Sequence, residues 1–268
     1  MLLRVRVALP DRPGSLGQVA RTLGVAGADI VQVVVLERLG GRAIDDFTVV
    51  WPGGAGVERL RAGLSAMPGV RVDGIWRAIG APVAGAFDAE LLTQVAANPN
   101  EGLATLVDTV PALLAADWAM AIRVPADWAV RSGSSVGVEV RQGVDDALVF
   151  GTLRPKPATP PVLYASWRAP QQLRLPEVTP LRARSMTGSD GTRYALAPFG
   201  RAGLVLVVAR SADDDLPVAA FHATEVDRVA QLVRAAAVIV GDRLDSAKAP
   251  APRAAVGDRP LEEPASAV

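Results

Sequence analysis

The sequence predicts an α+β protein, and two observations predict it. The first 80 residues alternate strand and helix periodicity in the order β-α-β-β-α-β, the split βαβ arrangement with two helices on one face of a four-stranded antiparallel sheet. From residue 87 onward come two helical stretches, several short apolar strands and one long closing helix, the pattern of an antiparallel sheet flanked by helices.

The first strand is LLRVRVALP, with Leu3, Val5, Val7 and Leu9 on one face and Arg4 and Arg6 on the other. A turn follows in which Asp11 suits a helix N-cap, Pro13 the first helical turn and Gly14 a close backbone approach. The helix behind it carries Leu16, Val19, Ala20 and Leu23 as one buried stripe, and Gly24 and Gly27 mark its end. IVQVVVLER then reads as a buried strand that reverses through Gly40 and Gly41 into AIDDFTVVW. Val57, Leu60, Leu64 and Met67 define the second helix, and Val70, Val72 and Ile75 the fourth strand. The opposite face of this sheet and its edges are left available for pairing.

Residues 81–86 read as a linker between a first domain at 1–80 and a second at 87–245. The second domain opens with a helix through Phe87, Leu91, Leu92 and Val95, then another from Gly102 to Ala115 interrupted by Pro111. Strands are expected at WAMAIRV, ALVFGTL, VLYASWR, TRYALAPF and GLVLVVAR, the last as a central strand because it is almost continuously apolar. A single helix from Phe221 to Leu244 closes the domain, and the tail at 246–268, all Ala, Pro and charge without periodicity, is expected to be disordered.

The DRPGSLGQV turn, the GADI entry to the second strand and the AIDDFTVVW strand, in this order, resemble an ACT domain over roughly residues 1 to 78. They are most similar to the ACT repeats attached to nitrogen-sensing uridylyltransferases. The resemblance implies a ferredoxin-like βαββαβ domain that pairs side by side with a second copy and binds an amino acid where the turn after strand one meets the partner. It places Asp11 and Asp29 at the positions that usually hold the ligand amine. Arg12, Pro13, Gly14, Ser15 and Leu16 form the loop, and Ile30 follows Asp29 into the strand. Several amino-acid-binding members carry Asn where this chain has Asp. Independently of the family, a zwitterion needs a carboxylate for its ammonium and free N–H groups for its carboxylate, and this turn offers both. The same residues serve elsewhere as a plain N-cap and turn.

The segment from Tyr194 to Leu244, with its hairpin, acidic turn and final helix, resembles a GAF domain, a small-molecule sensor built on a six-stranded antiparallel sheet. No ligand signature of that family stands in it. Without cysteine the chain cannot tether a bilin, and its one histidine, His222, falls before the last helix, where capping or exposure outweighs haem ligation. Trp118, Trp128, Phe150, Tyr164, Trp167 and Tyr194 either pack a core or line a pocket. Asp45 and Asp46 are no metal pair, since neighbours on a strand point to opposite faces.

Composition restricts the function classes. The 28 basic residues balance 28 acidic ones without a basic stripe, which argues against nucleic acid or an anionic membrane as partner. Arg4 and Arg6 break any leader-like apolar run, no later segment has the length of a membrane span, and a cytoplasmic location is expected. The Ala, Gly, Val and Arg bias is that of high-GC bacterial genes. The expectation is a non-catalytic regulatory protein, without cofactor or metal, that binds a small-molecule amino acid as a homodimer and passes its signal to an effector protein. The alternatives are a ligand-free dimerisation scaffold or a regulatory subunit of an amino-acid metabolic enzyme. An enzyme with an ACT head, such as the formyltetrahydrofolate hydrolases, needs a histidine-centred site that His222 does not supply.

Overall fold

In the computed structural model, residues 1–52, 56–78, 87–124, 162–170, 175, 177–178, 180–201 and 203–246 are described. The expected linker, the strand at ALVFGTL, Trp128, Phe150 and residues 247–268 of the tail lie outside them. The first sheet comprises β1 (Leu2–Pro10), β2 (Asp29–Leu39), β3 (Arg42–Val50) and β4 (Arg71–Arg77), all antiparallel in the order β2-β3-β1-β4. Helices α1 (Ser15–Val25) and α2 (Val57–Ser65) complete a ferredoxin-like βαββαβ unit. Its core joins Leu3, Val5, Val7 and Leu9 to Phe47, Val49, Leu60, Leu64 and Ile75, the alternation expected from the sequence.

Local chemistry sets the turns. Gly40 and Gly41 both take positive φ, 61° and 74°, as a two-residue hairpin between right-twisted strands requires. At the end of α1, Gly27 (φ 93°) lets the Ala28 amide reach the Leu23 carbonyl at 3.0 Å, and the Gly27 amide reaches that of Gly24 at 2.9 Å.

Three local expectations are corrected. The buried stripe of α1 is Ser15, Val19 and Leu23, while Leu16 is exposed, and the helix begins at Ser15, three residues later than an Asp11 cap would place it. β2 is not a buried strand but the edge of the sheet, and it leaves Val31, Val33 and Val35 exposed. The opposite face of the sheet is not free: Arg6, Asp46 and Trp76 are buried there against the second half of the chain.

That second half has α3 (Phe87–Ala97), α4 (Gly102–Leu113), β5 (Trp118–Arg123), β6 (Val162–Ala165), β7 (Arg184–Thr187), β8 (Arg193–Pro198), β9 (Leu204–Arg210), α5 (Ala223–Val240) and α6 (Arg243–Ser246). Its five described strands form an antiparallel sheet in the order β6-β5-β9-β8-β7. β9 is buried along its whole length, as its apolar run predicts. One face of the sheet packs on α3, α4 and α5, and the other carries Trp118, Met120, Ile122, Leu196 and Val207. Trp118 meets Tyr194 edge to face at 6.1 Å, so these two aromatics are core, whereas Trp167 is exposed under the Arg168 guanidinium. The closing helix is shorter than expected. His222 caps it at the front, and Gly241, at φ 61°, ends it before α6. Among the described residues no helix is long and apolar enough to cross a membrane.

The two halves meet along β4, where the Ile75 amide donates to the Pro217 carbonyl at 2.9 Å and closes that edge. Gly74 makes the approach feasible. A Cβ there would lie 2.6 Å from the Ala219 nitrogen and 2.8 Å from the Pro217 oxygen, both backbone atoms that cannot swing aside. Gly74→Ala is therefore expected to lower stability by about 2 kcal/mol, within the range for overpacked sites, measured by urea unfolding. An unchanged midpoint would show that the junction is loose.

Candidate ligand site at the turn after the first strand

The helix that receives β1 starts without a side-chain cap. Asp11 was expected to cap α1, but Gly14 occupies the N-cap position in the left-handed region (φ 88°, ψ −17°) and offers no side chain. The Ser15 amide bonds the Arg12 carbonyl at 3.2 Å and the Gln18 amide bonds that of Gly14 at 3.0 Å. The amides of Leu16 and Gly17 between them have no acceptor among the described residues, as the opening turn of an uncapped helix leaves them. Arg12, Pro13, Gly14 and Leu16 are exposed around this spot, and Ser15 is buried below it.

Asp11 has another partner. Its carboxylate is forked by Arg38 near the end of β2, with Nε at 3.0 Å and the terminal nitrogen at 2.5 Å, and its amide donates to Gly41 at 2.8 Å. Asp29 is not beside it. Asp29 pairs with Val50 at one end of β2, whereas Leu39 pairs with Arg42, and Arg42 pairs with Pro10, at the other. One chain thus separates the two aspartates by the length of a strand. Ile30, opposite Val49, sits on the helix-covered face and packs on its core.

Asp45 was not among the expected site residues. It lies on β3 opposite Val7 and Val35, on the same face as Phe47 and the helices, and its side chain is 2% exposed with Oδ1 lacking a hydrogen-bond partner among the described residues. Burial raises its pKa above the ordinary carboxylate range, with Asp46 and Asp11 adding to the rise and Arg38 opposing it. The folded protein therefore holds this proton more tightly than the unfolded chain. The group's contribution to stability is greatest at acid pH and is lost as pH rises through the raised pKa, so a charged Asp45 costs stability at neutrality. A carboxylate spaced two residues from Phe47, on an otherwise apolar face, was the signal in AIDDF that could have revealed it.

Asp46 faces the other way, as strand alternation requires. It takes Arg6 in a fork of 2.6 and 2.7 Å, and Arg6 continues to Glu225 at 2.9 Å. Glu225 binds Arg210 at 2.5 Å through its other oxygen. Arg210 in turn stacks 4.5 Å from the Trp76 ring and 4.0 Å from that of Phe221. The Ala115 carbonyl accepts from both Trp76 Nε1 (2.9 Å) and Arg210 Nε (3.2 Å), and Ala115 holds a positive φ of 46° to aim it. Burial pushes the Glu225 carboxyl up, but Arg210 and Arg6 outweigh it and hold the pKa at about 2. Glu225 also closes the capping box of α5 by accepting from the His222 amide at 2.8 Å. The His222 ring accepts from the Thr224 amide, the capping role expected of it, and its Nε2 meets Glu37 on β2 at 2.9 Å.

Adjacent residues of two strands thus serve opposite faces of the sheet. Arg38 reaches Asp11 in the turn before α1 and Asp45 lies on the same face as the helices, while Glu37 meets His222 and Asp46 is linked through Arg6 to Glu225 at the capped end of α5. Farther along α5, Ala230 and Ala237 with Phe199 and Leu204 line a cavity of about 750 Å³ that also touches Arg201 and Arg234. Arg201 is held by Asp242 at 2.8 Å. Among the described residues no cluster of three or more His, Asp or Glu is placed to hold a metal.

Neither a protein-family model nor a curated protein matches the chain. Among solved structures, a formyltetrahydrofolate deformylase from Pseudomonas putida KT2440 is similar at 18% identity over 37% of this chain, with a TM-score of 0.25. An unknown protein from Galdieria sulphuraria is similar at 18% identity over 47% of this chain and 72% of its own, with a TM-score of 0.26. The chain spans 39% of the deformylase's length, and neither likeness at these scores carries a functional argument.

Proposed function

We propose that the chain is a non-catalytic regulatory protein, an ACT domain joined to a GAF-like domain, that binds an amino acid at the turn after β1 and acts as a homodimer. The observation that carries this reading is the start of α1, where two amides without acceptors among the described residues follow the Asp11 carboxylate at the end of an open strand edge. The amides suit a ligand carboxylate and the aspartates suit an ammonium. The edge suits a second copy, because β4 is closed by Pro217 and β2 presents exposed valines instead. In a two-fold antiparallel pairing along β2, Asp29 of the second copy would approach the Arg38 end of the first, reuniting the aspartates that one chain keeps apart.

Regulation would run through the strands that the notch shares with α5. A ligand that prefers one position of β2 and β3 biases Glu37 and Asp46, and with them the His222 and Glu225 cap of the second domain. The fork between Arg38 and Asp11 favours the scaffold as second reading, since it satisfies Asp11 without a ligand.

Calorimetry of the full chain against the twenty amino acids separates the two. The expected result is saturable binding of at least one amino acid, weakened about tenfold or more by Asp11→Ala, which frees Arg38 and removes a notch carboxylate. Asp29→Ala weakens it too if the site spans two copies. Absence of heat with all twenty would leave the scaffold.

A further inference from the structure

We infer that the cavity between α5 and the hairpin of β8 and β9 binds a small carboxylate with an apolar body, an acyl chain or an aromatic ring, and that Arg234 and Arg201 hold its head. The site is separate from the turn after β1, and its test does not depend on the amino-acid reading.

The walls come from two elements that face each other at one end of the second sheet. Ala230, Arg234, Ala237 and Val238 recur along α5 at spacings of four, three and one, so they share one face of the helix. Ala230 and Ala237 are buried, whereas Val238 is 83% exposed, so this face carries both floor and rim. Opposite it, Phe199 and Leu204 are buried on the hairpin, and Gly200 between them adds no side chain: a Cβ there would meet no atom within 4 Å. The space left is about 750 Å³, within the range of small-molecule sites. Leu181, 40% exposed, also lines it, and with Val238 it forms an apolar rim that a bound apolar body would cover.

The charge of the lining has one sign. Among its described residues the polar side chains are the two arginines, and none is acidic. Arg234 makes no hydrogen bond or ion pair among the described residues. Arg228, on the same helix, contrasts with it, because Asp88 forks its guanidinium at 2.6 and 2.9 Å. Arg201 has a partner in Asp242 at 2.8 Å, but the Asp242 side chain is 95% exposed, and an ion pair in water holds its members weakly. A guanidinium presents parallel N–H donors that match a carboxylate in a fork. An apolar floor beside uncompensated positive charge is satisfied by a molecule with an apolar body and one anionic head. Two other classes fit less well. An amino acid would bring an ammonium that no carboxylate of the lining receives, and a nucleotide would bring sugar and base groups that find no partner on an apolar floor.

The test is calorimetry of the full chain with octanoate and phenylacetate as chain and ring probes, octanol and phenylethanol as their neutral counterparts, and acetate as a head without a body. Wild type is expected to bind at least one of the two acids saturably, one per chain, and about tenfold more tightly than its alcohol or acetate, the scale of one charge-assisted hydrogen bond. Arg234→Gln removes the preference for acid over alcohol, and Arg234→Lys, which keeps the charge, retains part of it. Ala183→Trp fills the mouth of the cavity and weakens acid and alcohol alike by about tenfold. Both positions are exposed, so the thermal midpoint without ligand changes little. Should Arg234→Gln fold poorly, Arg234→Ala takes its place in the same comparison. Equal binding of acid and alcohol by wild type would make the cavity a plain apolar groove and overturn the inference. Retention of the preference in Arg234→Gln overturns it too, as does acid binding that Ala183→Trp leaves unchanged, which marks adventitious binding elsewhere. Absence of heat with both acids has the same consequence.

Discussion

Replacing Glu225 by Gln is expected to lower the unfolding free energy by about 3 to 5 kcal/mol, the cost of leaving buried charges without their counter-ion. Two guanidiniums bind this one carboxylate: Arg6 from β1, which Asp46 also holds, and Arg210 from β9, both almost fully buried. Glutamine keeps the volume and one acceptor, but it cannot neutralise either cation. Arg210 feels the loss most, because burial already lowers its pKa and Glu225 is the main group opposing that shift. The pH dependence follows from the depressed carboxyl. With a folded pKa of about 2 against an ordinary 4.5, the stabilisation by Glu225 is fully present above the unfolded value and is lost as pH falls through the folded one. Urea titrations between neutral pH and pH 3 should therefore show a steeper acid loss for wild type than for Glu225→Gln. Equal slopes and a shift under 1 kcal/mol would mean that water, not Glu225, compensates the arginines.

The double substitution Val33→Lys and Val35→Lys is expected to convert a two-chain species into a single chain. Both side chains are exposed on the edge strand β2, so their replacement changes the stability of the isolated chain little. A β2-to-β2 pairing, in contrast, would bring four like charges together, at a cost of about 3 kcal/mol or roughly 100-fold in the dimer dissociation constant. Light scattering across a dilution series measures it. Amino-acid affinity should fall with the mass, because in the proposed pairing Asp29 would reach the notch only from a second copy. A wild-type chain that runs as one copy at all concentrations, or a variant that stays paired, sinks the edge-strand interface.

Periodicity made the strands and helices of the first half legible. Each of its elements has a face that repeats at two or at three to four residues, and the alternation of Leu3, Val5, Val7 and Leu9 needs no tertiary information. The glycine turns were legible for the same reason, since Gly14, Gly27, Gly40 and Gly41 adopt backbone angles that disfavour other residues. What sits on the other side of a sheet is not local. Arg6 meets Glu225 across 219 positions, and nothing in RVRV distinguishes an arginine that faces water from one that faces a buried glutamate. β2 shows the converse error: a run of valines reads as interior, yet its place at the end of the order β2-β3-β1-β4 leaves it at the edge.

The turn from Asp11 to Leu16 divides along the same line. The sequence alone determined that a strand ends there, that a helix follows and that carboxylates lie nearby. Tertiary structure decided which carboxylate is spent and which is unmet. The Arg38 fork on Asp11 and the unmet oxygen of Asp45 depend on the pairing of β2 with β3 and of β3 with β1. Register sets Asp45 opposite Val7, 38 positions away, and a one-residue slip would exchange Asp45 for Asp46.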